Sequence, residues 1–211
     1  MADKLTPPTV RRWRKPKQAR SLERVGRILD VAEAMFVETG YEAATTKQIA
    51  AQAEVAIGSL YQFFPDKAAI LEALAERYTD LLGQRLQAFG EESTPGSLAE
   101  YVDQMIDVVN QFYRDYPGYR AVFLEITASM PDVDKAANAQ LIRVTLANLS
   151  KLSDTLTEAD YEAIGVVLVE AIGQLLWFAW GQSPNLSERL VKETKLLALS
   201  YLKNYLPANL A

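Results

Sequence analysis
The sequence predicts an all-α protein of about nine helices: an N-terminal three-helix helix-turn-helix domain followed by a C-terminal helical domain. Three observations carry this expectation. Apolar residues recur at helical spacing from Val25 to Tyr205, and no strand-like alternation or internal repeat breaks the pattern. Thr45 to Lys67 reads as two short helices around a tight turn, followed at once by the start of another, which is the layout of a helix-turn-helix. The charge is divided: residues 1–29 hold nine Lys/Arg and two acids, a balance of +7, which leaves −12 on the remaining 182 residues of a chain whose net charge is −5. A basic working end on an acidic body fits this split, although a charge run alone is equally what a solvated tail presents.

The elements follow in order. Residues 1–17, with Pro7, Pro8 and Pro16, form a flexible basic arm. The first helix runs from about Gln18 to Thr39 on a stripe of Val25, Ile28, Leu29, Ala32 and Phe36, and Gly40 suits a left-handed cap. Thr45 and Gln48 have the spacing of a capping box, so a second helix starts near Thr46. A third covers Ile57–Phe64 and stops at Pro65, after which Asp66 caps a long helix reaching about Phe89. Further helices are expected over Leu98–Tyr116, Tyr119–Met130, Val133 to about Leu152, and Glu158–Gly181 with Thr157 as cap. The ninth has Asn185 and Glu188 at its start and Leu186, Leu190, Leu197, Tyr201 and Tyr205 at fours and sevens. The domain boundaries are set at 18–66 and 67–211.

Composition narrows the chemistry. An apolar share of 49% supports a well-developed core, and the chain has neither cysteine nor histidine. That removes disulfides, thiol nucleophiles, histidine bases and nearly all zinc or haem chemistry, so no metal, no cofactor and no enzyme is expected. No apolar stretch follows the early charges, so a signal peptide is not expected and the cytoplasm is the expected location. Ala163–Trp180 is the one membrane suspect; Glu170 and Gln174 interrupt it, and it reads as a buried helix rather than a span.

The exposed start of the second helix of the motif can reach base edges in a major groove. Gln62 suits adenine, Ser59 can donate or accept, Ile57 can meet a thymine methyl, and Gly58 lets the backbone come close. Tyr61 and Thr46 can serve a phosphate, and Lys47 and Lys67 add positive charge at either end of the unit. Arg11, Arg12, Arg14, Lys15 and Lys17 would extend these contacts along double-stranded DNA. Each residue alone also has a plain structural reading, as a packed aromatic, a surface hydroxyl or a solvated cation.

Ile28, Ala32, Phe36, Gly40, Tyr41, Thr45-Thr46, Ile49-Ala50, Ala53, Val55, Gly58, Leu60-Tyr61, Phe64, Lys67 and Leu71 stand in an order and spacing that resembles the DNA-binding domain of the TetR family of bacterial transcriptional regulators. The resemblance covers the first third of the chain. It implies a homodimer, an operator with two half-sites, and a C-terminal domain that binds a small-molecule effector. Three residues depart from the family pattern: Glu54 stands where a turn glycine is usual, Ala56 where a capping Ser or Thr is common, and Phe63 where His or Tyr is frequent. The function implied is a repressor released from its operator by a ligand. An activator, an effector-independent regulator, or an all-α enzyme or carrier are the alternatives.

For the effector, apolar or aromatic in character, the lining candidates are Tyr101, Met105, Phe112, Phe123, Trp177 and Phe178, all equally at home in an ordinary core. Glu125 and Glu170 interrupt apolar helices and would be costly to bury unpaired. The eighth helix is apolar nearly all round, so one side needs a cover, which points to a second subunit. Ile164, Leu168, Leu175, Leu190, Leu197 and Tyr201 are the candidate dimerisation residues, and Gly165, Ala171 and Gly173 would allow helices to approach closely.

Overall fold
A computed structural model describes residues 13–152 and 157–208. Among them are nine helices and no strand: α1 Ala19–Thr39, α2 Thr46–Gln52, α3 Ile57–Phe63, α4 Lys67–Glu92, α5 Leu98–Asp115, α6 Gly118–Ser129, α7 Pro131–Leu149, α8 Glu158–Trp180 and α9 Pro184–Leu202.

Caps set most of these boundaries. Thr45 and Gln48 form the reciprocal capping box, with the Gln48 N–H donating to Thr45 Oγ1 at 3.3 Å and the Thr45 N–H donating to Gln48 Oε1 at 3.1 Å. Asp66 accepts from the Ala69 N–H at the start of α4, and Thr157 forms a second capping box with Asp160 at α8. Two starts differ from expectation for one reason. Pro131 and Pro184 occupy the first helical position of α7 and α9, where the missing N–H is not needed. Asn185 therefore lies inside the first turn of α9 instead of capping it. Gly40 has φ 84° and ψ 158°, so it needs glycine's freedom at positive φ but is not the left-handed helical cap; its N–H still reaches the Phe36 carbonyl.

α4 is the spine. It buries Ile70, Leu71, Leu74 and Tyr78 completely and continues inward to Leu82, Leu86 and Phe89, while Leu81 is only half-buried. α1 packs on its first half, α7 along its length and α5 beside it; α6 touches both α1 and α4. α8 and α9 pair at the far side, with α7 on α8 and α5 on α9. One contiguous apolar core runs through all nine helices.

Close approaches lock these packings. Gly90 on α4 faces Asn148 on α7 so tightly that a Cβ would stand 1.8 Å from Asn148 Oδ1. Asn148 Nδ2 donates to the Leu86 carbonyl at 2.8 Å, and Lys151 Nζ to the Gly90 carbonyl at 2.9 Å. Gly165 faces Leu146 and Ile142 on α7, so its smallness serves this chain's own packing rather than a partner's, whereas Gly173 faces open space. At the α1–α4–α6 junction, Arg77 pairs with Asp30 and Glu33, and a Cβ on Gly118 would meet Glu33 and the Tyr78 hydroxyl. Burial first, and then the Glu33 carboxylate, push the Tyr78 phenol up from its ordinary value.

Candidate nucleic-acid interface and effector cavity
The α2–α3 unit is held from beneath by Ile49, Ala50, Ala53, Leu60 and Phe64, all buried. The Val55 N–H donates to the Ala50 carbonyl and closes the turn. Glu54 in that turn has φ 55°, the single non-glycine at positive φ among the described residues, and occupies the conformation that a glycine adopts without strain. Ala56 offers no cap to α3, as its side chain dictates.

Above this base, α3 presents Ile57, Gly58, Tyr61 and Gln62 to solvent, with Ser59 half-buried between them. No atom comes within 4 Å of where a Gly58 Cβ would stand. Thr46 Oγ1 lies 3.1 Å from the Tyr61 hydroxyl, so one hydroxyl from α2 and one from α3 meet at the N-terminus of α2. Lys47 is exposed beside them and forms no ion pair among the described residues.

Two of the cations expected at DNA, Lys67 and Lys15, have partners within the protein. Lys67 Nζ donates to the carbonyls of Tyr41 (2.6 Å) and Glu42 (3.2 Å) and lies 4.1 Å from the Tyr41 ring centroid, so it ties the start of α4 to the α1–α2 loop. Lys15 Nζ bonds Glu76 at 2.7 Å and lies 3.9 Å from Asp80. Hydrogen bonding with Glu76 is the largest influence and raises the Lys15 pKa above its ordinary value. This part of the arm is docked: Trp13 stacks on Phe64 with centroids 5.8 Å apart and donates its Nε1–H to Glu76 at 3.0 Å, while the Arg14 N–H donates to the Phe63 carbonyl. The sequence reading missed Trp13, whose only signal was a large aromatic inside a proline- and cation-rich run. Arg14 and Lys17 are exposed and unpaired among the described residues; Arg11 and Arg12, like the start of the arm, lie outside them. Arg20, Arg24 and Arg27 recur at threes and fours along α1, continuing the spacing from Lys17 just before it.

In the body, two cavities adjoin. An inner one of about 60 Å³ lies among α4, α5, α7 and α8 and is walled by Leu82, Leu86, Met105, Val109, Leu168 and Ile172, with Thr145 its one aliphatic hydroxyl. An outer one of about 270 Å³ opens between α6, α7 and α8, with Tyr119, Phe123, Trp177, Asp134, Asn138 and Glu170 in its wall. Tyr113, Leu141, Val169 and Gly173 border both. Of the sequence candidates, Met105 lines the inner cavity, and Phe123, Glu170 and Trp177 the outer. Tyr101 is instead buried against Phe89, and Phe112 is sealed among Tyr78, Tyr116 and Tyr119. Phe178 is 58% exposed on the outer side of α8. Glu125 is half-buried and accepts from Ser129, and Glu170 is exposed and accepts from Asn138 at 3.0 Å, so neither is a buried unpaired carboxylate. Tyr119, Asp134 and Asn138 were missed because only the fold brings α6 and the start of α7 to face α8. Burial drives the Tyr113 pKa up to about 12 and that of Tyr119 well above its ordinary value.

α8 is long and apolar enough to cross a membrane by length and composition alone, but here it lies against α7 and α9. It is not buried all round. Val166, Val167 and Phe178 remain exposed, and an apolar groove of about 810 Å³ runs between α8 and α9 past Val167, Leu175, Leu190, Leu197 and Tyr201. Ile164 and Leu168 depart from the expected dimerisation set. They are 2% and 3% exposed and belong to this chain's own core, with Leu168 touching the groove from below.

A two-helix reading unit carried by a helical body with an internal cavity defines a helix-turn-helix transcription regulator. Residues 28–74 match the profile described as bacterial regulatory proteins, tetR family, and residues 97–202 match the tetracyclin repressor-like C-terminal domain; the chain belongs to the TetR family. It is 44% identical over 57 residues to the HTH-type transcriptional repressor KstR of Rhodococcus jostii, covering 26% of this chain and 27% of that protein. It is 28% identical over 102 residues to the HTH-type transcriptional regulator UidR of Escherichia coli, covering 48% and 49%. These matches span about a quarter to a half of the relatives' length. A TetR-family regulator from Streptomyces coelicolor superposes with a TM-score of 0.72 at 27% identity, covering 89% of this chain and all of the other.

Proposed function
We propose that the chain is a homodimeric repressor that binds double-stranded operator DNA in the cytoplasm through α2 and α3 and is released by a small molecule held in the α6–α7–α8 cavity. The observation that carries the DNA-binding part is the meeting of Thr46 and Tyr61 hydroxyls at the start of α2, beside the open Ile57–Gly58–Gln62 surface. The pair supplies phosphate contacts that fix register, and Ile57, Ser59 and Gln62 supply base contacts. Exposed Lys47, Arg14 and Lys17 add sequence-independent attraction. The α8–α9 groove supports pairing with a second copy, which would set two reading units on two half-sites. The working division is an arm over 1–17, a DNA-binding unit over 18–66 and a sensing and pairing body over 67–211, with Trp13 tying the arm to the unit it precedes.

Fluorescence anisotropy against DNA flanking the protein's own gene tests this. Binding with a steep salt dependence is expected, lost in a Thr46→Val/Tyr61→Phe variant that retains its helicity. No binding at low salt would overturn the reading. Light scattering should give a dimer that Leu197→Glu dissociates; a monomeric wild-type protein would refute the pairing.

A further inference from the structure
We propose that the outer cavity takes an organic cation bearing an apolar arm, its positive head between the Trp177 ring and the Glu170 carboxylate and its arm directed at the inner cavity. This rests on the reading of that cavity as the effector site and names the chemical class it accepts. The outer wall carries two carboxylates, Asp134 and Glu170, and no Lys or Arg among its described lining residues. An organic anion would meet like charge there, whereas a cation would meet opposite charge. The two acids differ in strength as counter-charges. Asp134 lies in the first turn of α7, where the helix N-terminus already favours its negative charge. Glu170 lies mid-helix on α8 and has one neutral donor, Asn138, so it is the stronger attractor.

The aromatic wall points the same way. Tyr119 stacks on Phe123 at 4.3 Å and meets Trp177 edge-on at 5.7 Å, giving a rigid set of rings beside the acids. A ring face attracts a cation, more strongly when water is displaced. Arg120 lies 6.0 Å from the centroids of both Trp177 and Trp180 and is not part of the cavity lining. The inner cavity, in contrast, has no charged residue among its described lining and shares Tyr113, Leu141, Val169 and Gly173 with the outer one. A charged head finds counter-charge only in the outer space, and the inner space suits an apolar arm.

Isothermal titration of the full-length, DNA-free protein with 4-phenylbutyltrimethylammonium, 4-phenylbutanol and 4-phenylbutanoate separates charge from shape. The ammonium is expected to bind about tenfold tighter than the alcohol, and the carboxylate weakest. Glu170→Gln should remove most of the preference for the ammonium while alcohol binding stays unchanged; Asp134→Asn should remove less. Equal binding of ammonium and alcohol, tightest binding of the carboxylate, no binding of any of the three, or an ammonium preference that survives both substitutions would overturn the proposal. Operator binding by the ligand-free protein is measured separately, so a protein that binds DNA but shows no cation preference refutes the ligand class alone. One that prefers the cation but never binds DNA refutes the regulator reading alone.

Discussion
Lys67→Met separates a structural cation from a DNA-contacting one. Lys67 donates to two carbonyls of the α1–α2 loop and lies over the Tyr41 ring. Two charged-donor bonds sharing one partly solvated ammonium contribute about 2 kcal/mol, and the ring contact about 0.5 kcal/mol. Removing a cation from the first turn of α4 returns about 0.5 kcal/mol, because the helix N-terminus disfavours positive charge. The net loss is about 2 kcal/mol, which lowers Tm by about 4–8 °C in a chain of this size. Methionine keeps the stem's apolar contacts, so the effect reads the ammonium. The assays are thermal unfolding and the slope of operator affinity against salt. Tm should fall and the slope should not change. A slope reduced by about one phosphate contact with an unchanged Tm would show that Lys67 meets DNA after all.

Other outcomes follow from single contacts. Gly90→Ala forces a Cβ against Asn148 and should destabilise by about 2 kcal/mol in urea unfolding, with Gly90→Ala/Asn148→Ala recovering part of the loss; purely additive effects would show that the two do not touch. Glu54→Gly should raise stability by about 1 kcal/mol by relieving the positive φ, and no gain would mean that the turn is not strained. In operator binding, Arg14→Ala and Lys17→Ala should each flatten the salt slope, while Lys15→Ala, whose ammonium faces Glu76, should leave it unchanged. Tyr41 and Tyr113 are pushed up to about 12, chiefly by burial, whereas an unfolded chain ionises near pH ~10. Their contribution is fully present below about pH 10 and is lost as pH rises towards about 12, so the urea midpoint should fall over that window. Tyrosinate absorbance from these two residues before unfolding would contradict their burial.

The helices were legible because caps and apolar stripes are local: Thr45 with Gln48, Asp66 and Thr157 all cap as their spacing implies. Partners far along the chain were not. Lys67 finds carbonyls 25 and 26 residues away, and Lys15 a carboxylate 61 residues away, so both looked like free cations. α8 failed for a different reason. When nearly every position is apolar, periodicity has no phase, and nothing local says that Ile164 turns inward while Phe178 turns out. The same uncertainty hid the exposure of Glu170. Within the reading unit, Leu60 and Phe64 turn inward and Ile57, Tyr61 and Gln62 outward as expected, while Ser59, expected outside, and Phe63, expected inside, are both half-buried.

The Asn148 bond to the Leu86 carbonyl has a geometric consequence. It fastens the far end of α4 to α7, while Lys67 fastens the near end to the loop that precedes α2. At 1.5 Å per residue, the run from Lys67 to Leu86 makes a lever about 30 Å long. Pivoting it by about 6° at Leu86 swings the Lys67 end, and the loop tied to it, through about 3 Å, close to the rise of one base pair. A change beside α7 too small to disturb any helix would be geared up, at the other end, to the step between neighbouring base pairs.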